Sequence, residues 1–248
     1  MLIVVSGLFL MLLPSLRFLF SSVLAVAVIS LYIVLSKLAN ALVVHAEVFR
    51  EWLNEWGIRN VHIIPHGAEI SGKYNEIKKE DKNVILCLGT IAPRKGIETL
   101  LQAVLLVKEK LKEKNIVTII AGPTPSVLGD GEYLAKIAQL CSNMRDIVML
   151  RGYLADIEVE KLLKRTLLMC LPYPVSIAAS GPLMIAIGRG IPVITSSTPY
   201  FIEVLGEDYP LMFKPGDVVS LAKLLEAVLE NDLLISRALS RINSINSK

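Results

Sequence analysis

Seven short, continuous apolar runs separated by longer segments of mixed polarity set the strongest limit on how this chain folds. They are ALVVH (41–45), VHIIP (61–65), VILCLG (84–89), IVTIIAG (116–122), IVMLRG (147–152), LLMCLP (167–172) and IPVIT (191–195). Apolar and polar residues do not alternate within them, which is the pattern of parallel strands covered on both faces. The segments between them have helical period. Ile97, Leu100, Leu101, Val104, Leu105 and Leu111 mark one buried face, with Lys108, Glu109, Lys110 and Lys112 turned to solvent. Ile157–Thr166 and Val218–Glu230 read the same way, the second opening on Asp217 as N-cap after Pro215 and Gly216. Strands alternating with such helices predict an α/β, doubly wound parallel sheet.

The amino-terminal end departs from this pattern. Phe18 to Ser36 carry no charged side chain over 19 residues, enough at about 1.5 Å per residue to cross a bilayer core. Residues 1–37 are therefore expected to be an apolar, helical segment and a candidate membrane helix; the alternative is a pair of buried helices. Pro14 interrupts the earlier apolar stretch, and no basic region or small-residue cleavage site marks a secretory signal. Residues 71–83 (SGKYNEIKKEDKN) are polar and unpatterned and read as a linker. The expected organisation is 1–37, 38–70, the linker 71–83, a main domain 84–235 and a tail 236–248.

Composition removes several function classes. A net charge of +3, with both signs interspersed, and 6% aromatic residues leave no nucleic-acid footprint. Cys87, Cys141 and Cys170 are odd in number and without a CxxC pair, which argues against a disulfide framework or a zinc site and for reduced thiols in a cytosolic compartment. No GxGxxG follows a strand, so a dinucleotide-dependent oxidoreductase is a weak reading.

In doubly wound sheets ligands bind at the carboxyl ends of the strands. After VILCLG, Gly89 permits close backbone approach, Pro93 fixes the chain and Lys95 precedes a helix. An ammonium beside free helix amides makes an anion site; the plain alternative is that Arg94 and Lys95 are solvated loop charges. After LLMCL, the segment Pro172-Tyr173-Pro174 is a stiff exit, Ser180 is a good N-cap and Pro182 suits a first helical turn. Two helix starts aimed at one crevice, one with a lysine, suit a diphosphate.

The order of these segments resembles glycosyltransferase family 4, whose members have the GT-B fold. The likeness is carried by IIPHGAEI (63–70), VILCLGTIAPRKGIETLLQA (84–103), IIAGP (119–123), IVMLRGYLADIEVEKLLKRT (147–166) and LPYPVSIAASGPLMIAIGRGIPVITS (171–196). The resemblance implies a retaining, metal-independent transfer of a hexose from a nucleoside diphosphate sugar to a glycan or lipid-linked acceptor; the apolar amino terminus and the reduced thiols add the expectation of a cytoplasmic location at the inner face of a membrane. It places Lys95 on the donor diphosphate, Gly89 at the strand end, the backbone of Tyr153 and Leu154 beside the nucleobase, and Ser180 and Gly181 at the phosphate and sugar. Glu203 matches a glutamate after the next strand, and His66 and Gly67 fall in the hinge motif. His45 and His62 are expected to be packing residues.

Three positions depart from the family pattern. Thr90 stands where an arginine is usual, with Arg94 as a partial replacement of its charge, and Ile177 and Ile185 occupy the two glutamate positions of the E-x7-E signature. Only the last pieces of an acceptor-side domain, residues 38–70, are recognisable. The chain is thus expected to be chiefly a donor-binding half. The alternative is a non-catalytic, truncated or split-enzyme subunit that binds a nucleotide sugar or a partner chain carrying the other domain.

Overall fold

The structure is a computed structural model that describes residues 2–4, 33–34, 36–68, 82–124, 130–176 and 178–246. It divides into two compact units. The first comprises Met1–Gly67 with Ser176–Ser180, the second Ala68–Val175 with Gly181–Lys248.

The first unit holds a three-stranded parallel sheet in the order β1 (Leu2–Val4), β2 (Ala41–Val44), β3 (Val61–Ile63). Helix α1 (Glu47–Glu55) links β2 to β3 and buries Phe49 and Leu53. The helix expected at the amino terminus does not hold at Leu2–Val4, which pair as a strand with β2; the β-branched Ile3 and Val4 suit that extended backbone. Residues 33–34 and 36–38 are helical. Most of the candidate membrane stretch 18–36 lies outside the described residues, and among those described no helix is long and apolar enough to cross a membrane.

The second unit is a six-stranded, all-parallel sheet. Its strands are β4 (Val84–Leu88), β5 (Val117–Ala121), β6 (Val148–Arg151), β7 (Thr166–Leu171), β8 (Val193–Ser196) and β9 (Met212–Phe213), in the order β6-β5-β4-β7-β8-β9. The connecting helices are α2 (Ile97–Leu106), α3 (Lys108–Glu113), α4 (Asp130–Ser142), α5 (Asp156–Arg165), α6 (Gly181–Arg189), α7 (Pro199–Leu205), α8 (Val218–Glu230) and α9 (Asp232–Asn246). The chain builds outward from β4 to β6, then returns to β4's other side with β7 and builds the opposite way. β4 and β7 therefore flank the switch point, where such sheets open a crevice at their carboxyl ends.

The helical face expected between 97 and 111 is two helices, α2 and α3, meeting at Val107. Ile97, Leu100, Val104, Val107 and Leu111 follow the buried 3-4 spacing, whereas Leu105, one step round from Val104, is 55% exposed. The lysines expected in solvent are partnered there: Lys108 and Lys112 with Asp146, and Lys110 with Glu226 and Glu230. Asp217 does cap α8, accepting from the Ser220 amide at 2.9 Å. Residues past 235, expected as a tail, continue α9, which buries Ile235, Ala238 and Ile242 because they recur at helical spacing. Of the linker, 71–81 lie outside the described residues, while Lys82 is buried and Asn83 bonds the main chain of Arg165 and Val117. The strand β9 has only two residues, too short for an apolar-run signal.

Backbones close in on one another at the carboxyl edge. The Gly89 amide donates to Ala121 O at 2.9 Å, Ile91 to Pro123 O at 2.9 Å and Gly122 to Gly152 O at 3.1 Å. Gly122 has φ +148°, and a methyl group there would sit 2.0 Å from the Gly89 carbonyl oxygen. Gly96, with φ +65°, has its own virtual methyl 1.9 Å from Pro172 O. Both atoms struck are backbone, so relief requires moving a strand end.

Gly122→Ala is expected to cost about 3 kcal/mol or more, read as a lowered urea midpoint. Gly131→Ala, where a methyl meets nothing within 4 Å, should be neutral or slightly stabilising; equal midpoints for both variants would contradict the close approach. Thr118 Oγ1 is buried in β5 with no hydrogen-bond partner. Thr118→Val, which keeps the shape and removes the unsatisfied hydroxyl, should stabilise by up to about 1 kcal/mol, and a clear loss in the same assay would show the hydroxyl to be partnered.

Candidate functional site

The switch point brings together residues from four stretches of the second unit. Past β4, the chain makes a single 3-10 turn, Pro93–Lys95, and enters α2 through Gly96. The turn folds Lys95 inward, so that it is only 8% exposed. This corrects the solvated-loop alternative for Lys95; Arg94 beside it is half-buried. The sequence gives no sign of that burial because the turn itself is hydrophilic.

Past β7, Tyr173 is buried between Pro172 and Pro174. Lys95 Nζ donates to Tyr173 Oη at 2.6 Å and lies 3.9 Å from the centre of the same ring. Tyr173 is held in turn: Ser196 Oγ donates to its carbonyl at 2.5 Å, and its ring tilts against Phe201 at 5.2 Å. This residue was expected only as part of a stiff exit. An aromatic with a polar tip between two prolines at a strand end is the signal that could have singled it out.

Gly89 ties a third element to the pair. A methyl group on Gly89 would lie 3.2 Å from Pro182 Cγ and 3.9 Å from Lys95 Cε. The first turn of α6 and the lysine stem thus stand at the same strand end. Gly181 opens α6, and Ser180, buried, immediately precedes it. Ile185, on α6, is half-buried and apolar where a carboxylate was the family expectation; Ile177 lies outside the described residues.

The other expected site residues spread along the same edge or away from it. Tyr153 and Leu154 follow β6, two strands from β4, hence about 10 Å along the edge; Tyr153 is 75% exposed. Glu203 is exposed on α7, which follows β8 on the opposite side. Thr90 is half-buried just past Gly89. His66 and Gly67 belong to the first unit, both exposed; His66 Nδ1 bonds Gly67 O at 2.9 Å and its ring meets that of His45 edge-on at 5.5 Å. His62, expected to pack, is exposed and bonds Asn60 Oδ1, because the outer face of the short β3 is open.

Electrostatically the switch point is a cation without a counter-charge. Among the described residues Lys95 forms no ion pair with a carboxylate. Burial first, then the neighbouring Arg94 charge, lowers its ammonium to about 7, with Cys87 acting in the opposite sense. Burial likewise pushes the Cys87 thiol up to about 12. Burial also lowers Arg94, with Tyr173 opposing. Glu98 in the first turn of α2 would repel an anion, but it accepts from Tyr133 at 2.6 Å and Lys136 at 3.2 Å. Among the described residues the buried ammonium meets a phenol but no carboxylate, an arrangement chemically suited to an anion. A separate cavity of about 400 Å³, lined by Lys82, Asn83, Lys114 and Asn115 among others, lies at the amino ends of the strands, away from this chemistry.

Solved structures share this architecture. Sucrose-phosphate synthase from Thermosynechococcus elongatus superposes with a TM-score of 0.69 at 18% identity, over 86% of this chain and 56% of that one. HepE from Anabaena, in complex with UDP and glucose, gives 0.71 at 16% identity, over 84% and 58%. The catalytic domain of cholesterol-alpha-glucosyltransferase from Helicobacter pylori gives 0.53 at 21% identity, over 66% and 98%. At these identities the likeness is one of fold, and the chain spans little more than half the length of the first two. No curated protein matches the sequence. The sequence pattern of the glycosyl transferases group 1 matches residues 73–244, which takes in the whole six-stranded sheet, and the chain belongs to that family.

Proposed function

We propose that the second unit binds the nucleoside diphosphate sugar of a retaining, family-4-type glycosyltransferase reaction, the transfer of a hexose to a glycan or lipid-linked acceptor. The observation that carries this reading is the buried Lys95 ammonium, unpaired by any described carboxylate, at the switch point of the sheet. Burying such a charge is costly unless a ligand brings the opposite one. A diphosphate does so, and it also uses the amides at the start of α6, headed by Gly181.

The sheet edge then orders the rest of the donor. The diphosphate lies over Gly89 and Thr90, with Arg94 adding charge nearby. The base reaches toward Tyr153 and Leu154, and the sugar toward the side of Glu203. As the glycosidic bond breaks, negative charge grows on the leaving diphosphate, and Lys95 with the helix amides is already in place to meet it. In this reading that charge is met by side chain and backbone, and the reaction needs no metal. Ile185 offers the ribose no charge-assisted bond, so affinity rests on the phosphates and on base packing.

Titration calorimetry with UDP-glucose, and with GDP-mannose in parallel, tests the assignment; UDP is the first choice because HepE was solved with it. Lys95→Ala should weaken binding at least about tenfold, the worth of one charge-assisted contact, while uridine or guanosine binds unchanged. Wild type and variant with identical affinity would refute the role of Lys95.

The same binding should depend on pH. The free ammonium titrates at about 7, and a bound diphosphate raises that value, so complex formation takes up a proton above pH 7. Affinity for the nucleotide sugar should therefore fall as pH rises from 7 to 8.5, by up to about tenfold per unit. A nucleotide sugar is the right probe because it lacks the terminal phosphate ionisation near pH ~6 of UDP itself. A flat profile from pH 6 to 8.5 is the contrary result.

A further inference from the structure

Among the described residues Lys95 has one hydrogen-bond acceptor, and it is a residue the family resemblance does not assign. Tyr173 offers the ammonium both its hydroxyl oxygen, at 2.6 Å, and its ring, at 3.9 Å from the centroid. An aromatic face attracts a cation, more strongly when both are out of water. A phenol oxygen accepting from the ammonium favours its charged form. The two contacts together offset part of the cost of burying Lys95.

The tyrosine is itself immobilised from three sides. Pro172 and Pro174 restrict the main chain around it. Ser196 at the end of β8 donates to its carbonyl, and Phe201 of α7 packs on its ring, with Tyr200 against Phe201 at 5.8 Å. The titratable and charged groups that act on Lys95 are Arg94 on its own turn, Cys87 on β4 and Tyr173 past β7. The α6 side contributes Pro182, which is neutral. Of these, only Tyr173 accepts a hydrogen bond from the ammonium.

We propose that Tyr173 is a positioning residue for the donor, holding Lys95 in place and charged across the β4–β7 switch point until a diphosphate supplies the counter-charge. The proposal deepens the donor-binding reading and rests on it for the ligand, but not for the contact between the two side chains. That hold offsets part of what burying a lysine with no described carboxylate costs. It also explains why a tyrosine, rather than a phenylalanine, sits between the two prolines.

The test uses the full chain with isotopically labelled lysine, following the Lys95 signal through a pH titration by NMR and assigning it by its loss in Lys95→Ala. Tyr173→Phe keeps the ring and removes the acceptor, so Lys95 should titrate at least about half a unit lower than in wild type. Tyr173→Leu, which removes the ring face as well, should lower it further. UDP-glucose should bind Tyr173→Phe nearly as wild type at pH 6 and about threefold or more weakly at pH 8, the factor that half a unit represents. An affinity loss equal at every pH, with the Lys95 titration unmoved, would mark a merely structural role and overturn the proposal. So would a Tyr173→Phe variant indistinguishable from wild type in both readouts. Failure of the donor reading looks different: Lys95→Ala would bind UDP-glucose as wild type does, while the Lys95 shift in Tyr173→Phe would still report the hold between the two side chains.

Discussion

Everything at the carboxyl edge of the large sheet depends on how closely its backbones approach. The Gly89 carbonyl occupies the space a side chain on Gly122 would need, and Pro172 O occupies the space of one on Gly96. These contacts set the exits of β4, β5 and β7 against one another before any polar group is placed. Because strand ends cannot shift without breaking ladder hydrogen bonds, the loops they carry start from fixed points. The turn 93–95 is one such loop, and its fixed origin is what allows a lysine to be folded inward instead of reaching for water.

Inward placement has a thermodynamic consequence that runs against stability. A lysine whose folded-state value is about 7, against an unfolded value near ~10.4, favours the unfolded chain at every pH where that chain stays protonated. The penalty is fully present below pH 7 and fades as pH rises from 7 toward the unfolded value. A group selected for stability alone would not sit so. Groups held so far from their ordinary values cluster at functional sites. Packing thus sets the state of a single side chain: the glycines fix the turn, and the turn buries the lysine.

The sheet was legible in the sequence because its strands are covered on both faces, so runs such as VILCLG and LLMCLP need no alternation to be seen. What escaped was decided by context. Two residues of strand at Met212–Phe213 leave no pattern, and Leu105 fits a helical stripe by spacing yet lies just outside the buried one. α9 has a mixed composition in which the buried positions emerge only once α8 is in place. At the site, Gly89, Lys95 and the helix start at Gly181 could be named from local chemistry. The burial of Lys95 could not, since its neighbours Pro93, Arg94 and Gly96 read as solvated. The tyrosine that buries it is 78 residues away in sequence, and no local rule links the two.

The departures from the family pattern acquire a physical sense from the same geometry. An arginine at the position of Thr90 would place a second cation one residue past Gly89, beside a lysine already lowered by Arg94. With Thr90 there, that repulsion is absent and the charge of Arg94 stands farther along the turn. Ile185 in place of a glutamate leaves α6 without a carboxylate at that position. A carboxylate reaching Lys95 would return it toward an ordinary lysine value. Phenol capping from Tyr173 holds the ammonium without neutralising it.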